Sequence, residues 1–161
     1  MAVIHRLTDF DTEDYKLIAI HSSRKEDFKV VYLINTILDI SLARQTDDVE
    51  IVTEAGVGSF SLFEFEDSDH HVLWKLVSNK TLLHQEGYYG SPLFEGDPHA
   101  TLKRDYLFPE LKTVDYLIKI EDTDEQFDIG IIIEKIKAQK LFSTAYEVRL
   151  ESIKTKQNLI F

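Results

Sequence analysis

The chain contains no cysteine in its 161 residues. Disulfides, thiolate-bound zinc, iron–sulfur clusters and a cysteine nucleophile are therefore excluded. Basic residues are scarce: Lys and Arg number 18 against 29 Asp and Glu, a net charge of −11. A surface for nucleic acid or an anionic membrane needs clustered Lys and Arg, so this balance argues against both. Long apolar runs are also missing. The longest, Val30 to Ile34, falls far short of the ~20 residues that span a bilayer. The opening Met1-Ala2-Val3-Ile4-His5-Arg6 has no basic start followed by an apolar stretch, so no secretory leader is expected and the expected location is the cytoplasm. Glycine-rich cradles are absent too. Gly56-Val57-Gly58 lacks the rest of a dinucleotide fingerprint, and no P-loop, GxSxG or HExxH occurs. No cofactor, metal or catalytic residue is implied by motif.

What is present is enough apolar surface to fold. Apolar residues make up 43% of the chain and aromatics 11%, too many for a disordered polymer. The length suits a single domain over 1–161. All three prolines (Pro92, Pro98, Pro109) and the glycines Gly87, Gly90 and Gly96 fall in or beside one stretch, so 79–113 reads as a long irregular loop. Loops of that length are uncommon and often functional.

Two strand-to-helix units stand out. Lys16 to His21 reads as a mostly buried strand, and Ser23-Arg24-Lys25-Glu26 as a capping box. A helix over about 24–40 follows, with Phe28, Val31, Ile34 and Leu38 on its apolar stripe. Tyr116, Ile118 and Ile120 alternate with Leu117, Lys119 and Glu121, a strand with one face inward. A second capping box, Thr123-Asp124-Glu125-Gln126, precedes a helix striped by Ile129, Ile132, Ile133 and Ile136. Leu17-Ile18-x-Ile20 matches Leu117-Ile118-x-Ile120 at an offset of 100, which suits either a duplication or two units obeying the same physics.

The remainder is strand-like. Between Leu62 and Phe63 the apolar phase switches, which predicts a bulge or a strand buried partly on both faces. His71 to Val77 is apolar on both parities and reads as central. Tyr146, Val148 and Leu150 read as the inner face of a half-exposed strand, and Leu159-Ile160-Phe161 as a docked final strand. The expected architecture is α+β: one twisted, mainly antiparallel sheet with two helices on one face. A second copy or the long loop would cover part of the other face.

Candidate sites are few. Asp9-Phe10-Asp11-Thr12-Glu13-Asp14 lacks the glycine and the distal glutamate of a calcium loop. Residues 45–74 hold eight acids and no Lys or Arg, either a solvated face or a docking surface for a basic partner. His70 and His71 are adjacent and so point apart in a strand, while His84 and His99 share the loop with Glu86. Tyr88, Tyr89, Phe94, Tyr106 and Phe108 could line a small-molecule pocket in that loop, pin it to the domain, or pack between copies.

The most distinctive stretch is Phe108-Pro109-Glu110-Leu111-Lys112-Thr113-Val114-Asp115-Tyr116. It resembles the signature of the IPExxxVDY family, uncharacterised proteins of Bacteroidetes-type bacteria, with Phe108 in place of Ile and Pro109, Glu110, Val114, Asp115 and Tyr116 matching. The segments 17–22, 32–35 and 156–161 also resemble that family. The resemblance implies a bacterial cytoplasmic domain of unknown function and brings no catalytic residues. In physical terms, Pro109 holds Phe108 extended, Val114 and Tyr116 share a parity facing the core, and Asp115 and Glu110 are placed to accept loop amides. Either this stretch anchors the loop to the sheet, or Glu110, Asp115 and the Tyr116 hydroxyl form the polar corner of a pocket. The functional expectation is a non-catalytic interaction or adaptor domain that self-associates or takes a protein partner. The alternatives are a small-ligand-binding domain using loop 79–113 and a carboxylate/histidine hydrolase.

Overall fold

Alternating and doubly apolar segments become strands, and the two striped segments become helices. The computed structural model describes residues 15–83, 103–124 and 126–161. In chain order the elements are β1 (Tyr15–Ser22), α1 (Asp27–Leu38), β2 (Ala43–Arg44), β3 (Val49–Thr53), β4 (Gly56–Phe60), β5 (Leu62–Asp67), β6 (Val72–Ser78), β7 (Lys80–Leu82), β8 (Arg104–Tyr106), β9 (Tyr116–Glu121), α2 (Ile129–Lys137) and β10 (Phe142–Glu147). Short 3-10 turns occupy Pro109–Leu111, Leu150–Ser152 and Lys156–Ile160.

A six-stranded sheet runs β10-β1-β9-β6-β5-β2, and β3–β4 and β7–β8 form two small ladders. Every pairing is antiparallel. This is the expected α+β architecture. β1 and β9 lie side by side in its interior, with Ile18 directly opposite Ile118. Each is flanked on its far side by a strand that follows the other's helix, β10 beside β1 and β6 beside β9. The two similar units thus occupy equivalent places.

The sheet is buried on both faces. Ile18, Ile20, Trp74, Leu76, Ile118 and Ile120 meet Val30, Val31 and Ile34 of α1 and Ile132 and Ile136 of α2. On the other face Leu17, Ala19, Val77 and Leu117 meet Phe60, Leu107, Phe108, Val114, Ile153, Leu159 and Phe161. That face was expected to need a second copy or the long loop. The chain covers it with β4, the loop's closing segment and residues 153–161. β9 therefore differs from its expected one-sided burial: Tyr116 through Ile120 are all buried, Lys119 included.

Both helices start later than their sequence signals. α1 begins at Asp27 with Glu26 as an N-cap that makes no side-chain cap bond. Ser23 is unavailable because its N–H and hydroxyl both donate to Leu141 O, tying it to the sheet side (3.0 and 3.1 Å). Phe28, expected on the buried stripe, is instead 68% exposed. α2 is capped by Asp128, whose carboxylate accepts the Gly130 N–H at 2.9 Å. Asp124 instead makes a local turn with Gln126 N–H.

Two strand expectations are corrected and one alternative is decided. The phase switch at Leu62 is not a bulge but a strand buried partly on both faces: Leu62 packs with Phe60 on one side, and Phe63 and Phe65 pack on the helix side, once the chain has passed through Ser61 from the β3–β4 ladder into the main sheet. There Ser61 and Ser78 exchange hydrogen bonds at 3.0 and 3.1 Å. The strand expected over 146–150 ends at Glu147, with Phe142 and Ala145 facing inward and Leu150 opening a 3-10 turn. The last residues dock as expected but as a 3-10 turn rather than a strand, which buries Leu159 and Phe161 and leaves Ile160 exposed. The connection 79–113 is not irregular throughout, since β7 and β8 pair across it.

Candidate functional site

The stretch 108–116 splits its polar groups between two places. Pro109 opens a 3-10 turn, which needs no N–H from it. Glu110 turns toward the end of the chain and accepts the N–H groups of Lys154 (2.6 Å) and Thr155 (2.9 Å) and the Thr155 hydroxyl. Burial pushes its carboxyl up, but those N–H donors outweigh it and hold the group below its ordinary value. Val114 and Tyr116 do not share a face as expected. Val114 precedes the strand register and packs with Leu117, whereas Tyr116 packs on the helix side with Ile118.

Asp115 and Tyr116 stand together on the wall of a cleft. Asp115 Oδ2 accepts the Ser22 N–H at 2.9 Å, and Oδ1 accepts from Lys80 Nζ at 2.7 Å. The one main-chain amide it accepts is at the end of β1, and the loop contributes a side chain, Lys80, rather than the expected amides. The Tyr116 hydroxyl donates to Asp27 Oδ1 at 2.8 Å. Burial, then the bond to Asp27 and the nearby carboxylates, push its pKa far above the ordinary tyrosine value.

The cleft has a volume of about 330 Å³ and lies between the entry to α1 and the β7–β8 ladder. Arg24, Lys25, Lys80 and Arg104 line it together with Asp27, Asp115, Tyr116, Thr81 and Leu82. The ladder register sets one wall. Leu82 pairs with Arg104 and Lys80 with Tyr106, while Thr81 and Asp105 alternate toward Gly58 on the other side. Among the described residues, Lys80 is the only one of the four cations with an ion pair. A larger groove of about 770 Å³ runs between the start of β1 and residues 147–152. Its lining is charge-balanced, with Lys16 and Arg149 against Glu147 and Glu151.

The other candidates do not assemble. Tyr88, Tyr89, Phe94, His84, Glu86, His99 and the acids of 9–14 lie outside the described residues. His70 and His71 sit in the β5–β6 turn, where His70 Nδ1 meets Asp67 Oδ2 at 2.8 Å. Among the described residues no three His, Asp or Glu side chains are grouped to hold a metal. The acidic tract is partly self-satisfied, since Asp48 bonds both Arg44 and Ser59. Among the described residues no helix is long and apolar enough to cross a membrane.

Sequence reasoning missed the cations. Arg24 and Lys25 read as capping-box interior, and Lys80 as part of the long loop. The available signal was the alternation of Lys80-Thr81-Leu82 and Arg104-Asp105-Tyr106 at either end of the loop. No family model matches the chain, and no curated protein or solved structure matches it either.

Proposed function

We propose that the protein is a non-catalytic binding domain whose recognition surface is the cleft at the start of α1. One observation carries this reading: Arg24, Lys25 and Arg104 line the cleft without an ion pair among the described residues. On the same wall Asp115 is held by Ser22 N–H and Lys80, and the Tyr116 proton is held by Asp27. What the cleft leaves open is a set of cations suited to holding a ligand. The ladder β7–β8 belongs to the stretch 79–113, so the reading also carries forward the small-ligand expectation for that stretch. The resemblance of 108–116 supports a bacterial cytoplasmic setting. The test is a two-dimensional amide NMR titration with a mixed panel of small anions, amines and neutral polyols. Saturable shifts confined to 24–27, 78–82, 104 and 115–116 are expected; a panel that moves none of them overturns the reading.

A second reading, self-association, rests on α1. Phe28 and Tyr32 are 68% and 73% exposed and stand one turn apart on the same outward face. Light scattering should give a dimer that Phe28→Ser with Tyr32→Ser dissociates. A monomeric parent protein overturns it.

A further inference from the structure

We infer that the cleft takes a small hydroxylated phosphate monoester, with the phosphoryl group held between Arg24, Lys25 and Arg104. The inference rests on the cleft being a recognition surface and adds the chemistry of what it recognises.

The charge arithmetic is local. The lining holds four cations and two carboxylates in a chain of net −11. Lys80 and Asp115 neutralise each other at 2.7 Å. Asp27 is engaged by the uncharged Tyr116 hydroxyl. Arg24, Lys25 and Arg104 form no salt bridge among the described residues, although acids outnumber bases over the chain as a whole. Asp27 keeps its charge and Arg24 also feels the Glu26 carboxylate, so the trio is offset in part; the four cations still exceed the two lining carboxylates by two, and that excess favours a bound anion.

The positions suit a phosphoryl group. Arg24 and Lys25 come from the connection into α1, and Arg104 from β8, so the cations approach from two walls. Two guanidinium forks and an ammonium match the several oxygens of a dianion, which a monoanionic carboxylate would leave underused. The first turn of α1 adds to this. Its N-cap, Glu26, makes no side-chain cap bond; the Lys29 and Val30 N–H groups go to Glu26 O, which leaves those of Asp27 and Phe28 beside Arg24 and Lys25.

The rest of the cleft describes the ester. Leu82 is 43% exposed at the rim and offers a small apolar contact. The second Asp27 oxygen has no partner among the described residues and is free to accept from a ligand hydroxyl. The carboxylates of Asp27 and Asp115 disfavour a second anionic group on the ligand. A volume of about 330 Å³ sits at the low end for ligand sites, which run roughly 300–1,000 Å³.

Glycerol 3-phosphate is a suitable probe, with glycerol, inorganic phosphate and glutarate as comparators, each titrated by calorimetry and amide NMR at low salt. Glycerol 3-phosphate should bind at the cleft, with inorganic phosphate weaker, glutarate at least tenfold weaker and glycerol silent. Arg24→Gln and Arg104→Gln each change an exposed side chain, so both should stay folded and weaken binding about tenfold or more. Equal affinity in both variants, or glutarate binding as tightly as the phosphate ester, overturns the inference. Shifts at the cleft with amines or neutral polyols but none with phosphates overturn it while leaving the recognition surface standing. Silence to every class removes both.

Discussion

The two faces of the six-stranded sheet are closed by different means. One is closed by α1 and α2, whose backbones satisfy their own hydrogen bonds and need only present an apolar stripe. The other is closed by β4, the segment 107–114 and the segment 153–161, which are largely irregular. β4 has its ladder with β3, but the N–H and C=O groups of the other two segments have none, so each must find a partner individually. Asn79 and Lys119, two of the few buried polar residues, do this work. Asn79 Nδ2 donates to Leu111 O and Val114 O, and its Oδ1 accepts the Phe108 N–H at 2.8 Å. Lys119, only 6% exposed, donates to Leu159 O (2.8 Å) and Phe161 O (3.0 Å) and pairs with Glu121 at 2.6 Å. A helix-covered face is thus specified by apolar volume, and an irregular cover by a few polar pins.

The strongest way to break that contrast is Asn79→Ala. It removes three side-chain bonds to the 107–114 segment and leaves buried main-chain groups unpaired, at about 1–3 kcal/mol for each such group. A loss on the order of 4 kcal/mol is expected in urea unfolding, with 107–114 losing hydrogen-exchange protection before the helices do. Ile34→Ala on the opposite face should cost a comparable 2–5 kcal/mol by leaving a cavity, roughly as other buried Ile truncations do. It should loosen α1 first. If both variants expose the same amides first, the two faces are not closed independently.

Lys119→Met comes next. Methionine keeps much of the apolar stem but not the ammonium, so two main-chain oxygens lose their donor and, among the described residues, Glu121 keeps the Lys75 pair at 3.4 Å. Removing one partner of a buried pair costs roughly 3–5 kcal/mol. Glu121 retains a partner, so the lower end is expected, with faster exchange at 156–161. A melting temperature matching the parent protein would show that apolar contacts alone hold the last segment.

These pins also mark what the sequence did and did not reveal. The helices were legible because 3.6-residue periodicity reports burial against a single face. Their starts were not, because the hydroxyl of Ser23 can cap a helix or bond a carbonyl elsewhere, and Leu141, just before β10, took it. The switch of phase at Leu62 was legible, but its meaning was not: a bulge and a change of sheet leave the same pattern. Lys119 was hidden because alternation assigns every second residue of a strand to solvent, and a doubly covered strand breaks that rule. Asn79 carried no local signal at all, since its partners lie 29 to 35 residues away. The cleft needed the same long-range information, joining Arg24 to Arg104 across about half of the chain.

Asp115→Ala tests the junction between the pinned cover and the cleft. It releases the Ser22 N–H and leaves Lys80 without its counter-ion. A loss of about 1–3 kcal/mol in thermal unfolding is expected if the Ser22 amide is left unsatisfied. An unchanged melting temperature would assign Asp115 to the ligand alone.

Glu110→Gln sharpens the contrast with the smallest effect, because it makes one pin sensitive to acid. The Glu110 carboxyl lies below its ordinary value of 4.5, as its bonds to Thr155 and Lys154 favour the charged form. Between the folded and unfolded values the unfolded chain binds more protons, so stability rises with pH there. The contribution is therefore complete above about pH 4.5 and is lost as pH falls through the lower folded value. Solvent exposure screens the group, so an effect on the order of 1 kcal/mol is expected near neutral pH. Thermal unfolding of the parent protein and the glutamine variant should differ at pH 7, and the gap should close on acidification. The gap opened by Ile34→Ala on the helix side should not close, since no titrating group underlies it. A Glu110→Gln gap that persists unchanged at low pH would mean that shape, rather than the charge-assisted bonds to Lys154 and Thr155, secures this edge of the cover.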